Sequence, residues 1–84
     1  MSGDVVALDP RGLIREAYAI AGLGAPECRS IFLDWALGLP ADADAAGAVS
    51  ALLAHYGPAH PAHPMTAVLR EGAERRAAPR RRPR

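Results

Sequence analysis

The 84-residue chain contains no lysine, asparagine or glutamine, and it has one cysteine and four aromatic residues. A single cysteine excludes an intrachain disulfide framework and fits a reducing compartment or an indifferent one. No stretch approaches the ~20 apolar residues that span a bilayer. The start, MSGDVVALDP, carries an acid at position 4 and lacks the apolar run of a secretory leader. The expected location is therefore cytoplasmic. Large apolar residues are also scarce: half the chain counts as hydrophobic, yet 19 of those residues are alanine. A core this thin must pack well, or gain cover from a partner or a second copy.

Arginine, glycine, proline and alanine take the place of the missing types, a bias that fits a GC-rich bacterial genome. The net charge of +1 hides an asymmetry. Residues 1–74 hold four Arg against nine acids, whereas residues 75–84 hold six Arg and no acid. The composition predicts an acidic body with a basic tail.

The apolar spacing predicts an all-α fold, a small bundle of four short helices at about 10–22, 26–38, 43–56 and 64–73. Asp9 and Pro10 suit an N-cap and first helical position, and Leu13, Ile14, Ala17 and Ile20 follow at helical spacing. Gly22 and Gly24 are expected to stop this helix. Asp42 is the expected cap of the third helix, and Gly57-Pro58 its stop. The only stretch with strand character is the short VVAL at 5–8. The domain expectation is a flexible arm at 1–8, a helical domain at 9–74 and a disordered Arg-rich tail at 75–84.

The second helix is apolar almost all round. Cys28, Ile31, Phe32, Trp35 and Leu39 form one face, and Leu33, Ala36 and Leu37 form another beside Arg29. Such a helix is central to its fold or to an oligomer, and the expectation places it at the centre, with Phe32 and Trp35 as core anchors. The candidate partner-binding residues are Arg29, Leu33 and Leu37, with Gly47, Ala51 and Ala54 on the third helix, where small side chains permit close helix approach.

The sequence contains little that resembles a catalytic site. No Gly-rich phosphate loop follows a strand, no carboxylate pair has a fixed spacing, and Ser30 and Ser50 have no evident base. Cys28 lies in a helix first turn beside Arg29, which favours a thiolate, but it shares a face with Ile31 and Trp35 and reads as buried filler. No catalytic residue, enzyme activity or cofactor is expected.

Two binding chemistries have some basis in the residues. The tail arginines Arg75, Arg76, Arg80, Arg81, Arg82 and Arg84 suit weak, nonspecific contact with nucleic-acid phosphates. The first two helices have the spacing of a helix-turn-helix, but Glu27, Ser30 and Asp34 make the second helix a poor reader of DNA. In YGPAHPAHPM, 56–65, the repeat sets His60 and His63 beyond His55, a histidine set worth testing as a metal site. In an extended polyproline conformation His60 and His63 stand about 9 Å apart along the axis, too far for one ion. The favoured reading is a stiff extended joint, with His63 able to cap the fourth helix.

The runs CRSIFLDWALGLP (28–40) and HPMTAVLREG (63–72) resemble short uncharacterised helical proteins of alphaproteobacteria, over most of residues 9–73. The resemblance implies a bacterial cytosolic protein and carries over no site residues. The leading functional expectation is a non-enzymatic interaction module that binds a protein partner or itself. A nucleic-acid-associated protein using the tail is the alternative, and a metal-binding protein the further one.

Overall fold

The computed structural model describes residues 7–77. Four helices lie wholly within the described residues, in chain order α1 (Leu13–Ala19), α2 (Ala25–Leu37), α3 (Ala45–Tyr56) and α4 (Pro64–Ala77). There is no strand among the described residues, so the all-α expectation holds. Of the 5–8 stretch, residues 7 and 8 are helical, and residues 5 and 6 lie outside the described region. Leu8 also packs against the core.

Local hydrogen bonding explains where the helix ends differ from expectation. Asp9 is not the residue next to the helix. The Gly12 N–H donates to the Asp9 carbonyl at 2.9 Å, closing a turn that Gly12 completes with φ 68°, the left-handed region that glycine enters without a Cβ penalty. Asp9 still serves as a cap, because its Oδ2 reaches across the turn to accept from the Ile14 and Arg15 N–H groups, each at 3.0 Å. α1 therefore starts three residues later than expected and ends at Ala19, ahead of Gly22 in its own left-handed conformation.

A second turn shortens α3. The Ala43 N–H donates to the Pro40 carbonyl, so Asp42 is used in the turn and Asp44 becomes the cap, accepting from the Gly47 N–H at 3.0 Å. At the other end of the chain, α4 continues past residue 73 to Ala77. Arg75 and Arg76 thus lie within α4, in keeping with arginine's good helix propensity. Residues 78–84, which hold the rest of the expected tail, lie outside the described residues.

The core takes two or three side chains from each helix. Ile14 and Ala17 come from α1, Cys28, Phe32 and Trp35 from α2, Ala48, Val49 and Leu52 from α3, and Met65, Val68 and Leu69 from α4. These sets repeat at three and four residues, the spacing of one helix face. Phe32 and Trp35 are core anchors as expected, with ring centroids 5.6 Å apart, and the Trp35 indole N–H donates to the Leu8 carbonyl at 2.8 Å.

The centre of the bundle is not α2. α4 packs on all three other helices, most closely on α3, whereas the main contacts of α2 are with α1 and α4. The reason is that only one apolar face of α2 is used. Leu33 and Leu37 of its second face remain 59% and 84% exposed. Gly72 brings α2 and α4 together: a Cβ built there would stand 2.8 Å from the tip of the Phe32 ring.

Two substitutions test this packing. Trp35→Ala should cost about 3–5 kcal/mol in chemical denaturation, since it empties a nearly full site and leaves the Leu8 carbonyl without its donor. Gly72→Ala should also destabilise, by about 1 kcal/mol. Overpacking against Phe32 at ~1–3 kcal/mol outweighs the ~1 kcal/mol gain in helix propensity. A stabilised Gly72→Ala variant would show that the two helices are free to separate.

Candidate functional site

Two regions hold the residues singled out from sequence: the segment from α3 into α4, and the outer face of α2.

The histidine segment is folded into turns and is not extended. The His60 N–H donates to the Tyr56 and Gly57 carbonyls, and the His63 N–H donates to the His60 carbonyl. These turns bring the His60 and His63 rings to 6.2 Å between centroids, closer than a polyproline path permits. Both rings lie against Tyr18 of α1, at 4.8 and 4.6 Å, and Tyr18 stacks on Tyr56 at 4.5 Å and 18°. His55 is exposed and meets Tyr56 edge-on. Among the described residues no group of three or more His, Cys, Asp or Glu is placed to hold a metal ion.

His63 does cap α4, as the sequence suggested: its Nδ1 accepts from the Met65 N–H at 3.0 Å. That bond places a ring lone pair on Nδ1, so the neutral ring carries its proton on Nε2. Thr66 completes the cluster. Its hydroxyl donates to the His60 carbonyl at 2.8 Å, which leaves its oxygen to accept from the Tyr18 hydroxyl at 2.7 Å. The resulting relay, Tyr18 to Thr66 to the His60 carbonyl, pins α1 to the start of α4. Sequence reasoning missed both Tyr18 and Thr66. The available signal for Tyr18 was its position four residues after Ile14 on the apolar stripe of α1.

Burial raises the Tyr18 hydroxyl above its ordinary pKa of 10.0. Tyr56 is raised too, first by burial and then by the Asp9 carboxylate. Cys28 is fully buried, and burial followed by the neighbouring Glu27 pushes its thiol upward. It is a core side chain and not an activated nucleophile.

The α2 region is open. Arg29, Leu33 and Leu37 are all exposed. A groove of about 370 Å³ runs between α2 and α4, with Phe32, Val68 and Gly72 on its floor and Arg29, Leu33 and Glu71 at its edges. Arg29 Nε and Glu71 stand 3.9 Å apart across it. Arg11 and Asp34 are 3.7 Å apart on the other flank. Exposed pairs this long contribute little to stability, ~0–1 kcal/mol. The flank also holds a smaller cleft of about 250 Å³ bounded by Pro10, Leu13, Trp35, Leu39 and Pro40.

Of the remaining candidates, Arg75 shares the α2–α4 groove with Arg29 and Leu33. Gly47 and Ala54 are exposed on α3 and Ala51 is half-buried. The glycine lies directly under the Asp44 carboxylate, which a side chain at 47 would displace. Of the tail arginines, Arg75 is exposed at the groove, Arg76 lies in α4, and Arg80, Arg81, Arg82 and Arg84 lie outside the described residues. No helix among the described residues is long and apolar enough to cross a membrane. No family model, curated protein or solved structure matches the chain.

The tyrosines predict an alkaline limit to stability. Their raised pKa values mean that the fold favours the neutral phenols. The stability they contribute is complete below about pH 10 and is lost as pH climbs through the raised values. The thermal midpoint should therefore fall above pH 10, and Tyr18→Phe/Tyr56→Phe should flatten that fall. An unchanged slope in the double variant would place the alkaline sensitivity elsewhere.

Proposed function

We propose that the chain is a non-enzymatic interaction module that binds a protein partner, or a second copy of itself, through the outer face of α2. The observation that carries this reading is the pair Leu33 and Leu37, four residues apart, largely exposed and on the same side of one helix. Single exposed apolar residues are ordinary, but two leucines in register on a rigid helix form the kind of ridge that packs into a facing surface. Burying each on association would contribute about 1.5–3 kcal/mol before the cost of association is subtracted.

The thin core agrees with this reading, since α2 has only one buried face and the small domain has few large side chains to spare. The nucleic-acid alternative rests mainly on arginines outside the described residues. The metal alternative has less support, because His60 and His63 are engaged with Tyr18 and His63 Nδ1 is occupied by the Met65 N–H.

A photo-crosslinking amino acid at position 37, introduced into the full chain in a bacterial host, should yield a covalent adduct with another protein or with the chain itself. The same probe at exposed Ser50 on α3 should yield none. An adduct at position 50 with none at position 37 would overturn the reading.

A further inference from the structure

The charges beside the leucine ridge say what would cover it. Opposite the buried face of α2, the exposed positions include Pro26, Ser30, Leu33 and Leu37, spaced by four, three and four residues. This is the alternating spacing of a coiled-coil seam, with Ser30 and Leu37 at a positions and Pro26 and Leu33 at d positions. Arg29 then falls at g, immediately before the seam residue Ser30, and Asp34 at e, immediately after Leu33. Both are exposed, with side chains 58% and 57% accessible.

Resting on the reading of the α2 face as an interface, we propose that its partner is a second copy of this chain. The two α2 helices lie parallel, Leu33 and Leu37 form the seam, and Arg29 of each copy lies beside Asp34 of the other.

The orientation follows from the charges. In a parallel pair a g side chain approaches the e side chain five residues further along the facing helix. Arg29 and Asp34 are five residues apart and opposite in sign, so a two-fold axis brings them together twice. In an antiparallel pair g faces g and e faces e, which leaves Arg29 with no acid opposite it and sets Asp34 against the acidic flank that also holds Glu27. Like charges so placed repel. The self-complementary pattern therefore selects both the partner and its direction.

The existing ion pairs do not compete strongly. Arg29 is 3.9 Å from Glu71 and Asp34 is 3.7 Å from Arg11, both at the long end of ion-pair contact and both in solvent. Pairing would extend them into a row of alternating sign, Glu71 and Arg29 of one copy followed by Asp34 and Arg11 of the other. Ser30 at an a position is small enough to let the helices approach, and Gly38 ends α2 just after Leu37, so the seam is short. A seam of two leucines per chain fits a reversible dimer.

Sedimentation equilibrium on the full chain up to ~500 μM, well above the micromolar range of weak dimers, should show a monomer–dimer equilibrium. Arg29→Asp alone and Asp34→Arg alone should each raise the dissociation constant roughly tenfold or more, and the double exchange R29D/D34R should recover most of that loss. Circular dichroism on each variant checks that the exposed substitutions leave the helices intact. Ser30→Cys should form a disulfide-linked dimer under mild oxidation, because a positions face each other in a parallel pair, while buried Cys28 stays unreacted.

A strict monomer at ~500 μM would overturn the proposal. So would failure of the double exchange to recover the dimer, or a dimer in which Ser30→Cys does not cross-link. The broader reading of α2 as an interface stands or falls separately: an adduct from position 37 to a different protein, together with a monomer here, would keep that interface and reject the second copy.

Discussion

The close contact between Phe32 and Gly72 sets the rest of the arrangement. Because position 72 has no side chain, α4 can lie directly against the ring, and that contact fixes which way α2 is turned. With Phe32 inward, Cys28 and Trp35 follow it into the core at helical spacing. Leu33 and Leu37 must then point away. α4, held at this distance, reaches α1 through the Tyr18–Thr66 hydrogen bond and α3 through its closest packing. The exposed face of α2 is thus a consequence of how tightly the opposite face is held.

Carboxylates and a histidine start three of the helices, and each works by supplying an acceptor to backbone N–H groups that have no partner within the helix. Asp44 does so at the adjacent position, His63 through its ring, and Asp9 from across a turn. Asp9 is also buried, so its hydrogen bonds to Ile14 and Arg15 form away from competing water. Beside it, the Leu8 carbonyl receives the Trp35 indole, and this couples the start of α1 to the middle of α2. A domain with few large side chains uses such polar links where a larger one would use more apolar burial.

The proline–histidine segment has a structural role that periodicity did not reveal. Its prolines were legible as the end of one helix and the start of the next, and the cap at His63 could be anticipated from its place before Pro64. The folded turns could not. Whether Pro-Ala-His repeats run extended or turn back depends on what the rings can pack against, and Tyr18 lies more than forty residues away in sequence. Burial against that ring offsets the cost of bending the segment.

The all-α class, the four main helices and most of the core were legible in sequence, because burial on one face of a helix leaves an apolar repeat of three and four residues. Ile14, Cys28, Phe32, Trp35, Val49, Leu52, Met65, Val68 and Leu69 all stand on such repeats. Ile20, on the expected stripe of α1, is instead 45% exposed because the helix ends at Ala19 before it. The helix starts shifted by two or three residues at Asp9 and Asp42, since a turn and a cap draw on the same residue types and only backbone geometry distinguishes them. α2 was legible as two-faced, and so were the candidate residues Leu33 and Leu37. Which face would be covered was not, because both are apolar and local pattern ranks them equally. That choice belongs to the tertiary structure, where one glycine on α4 admits one phenylalanine from α2.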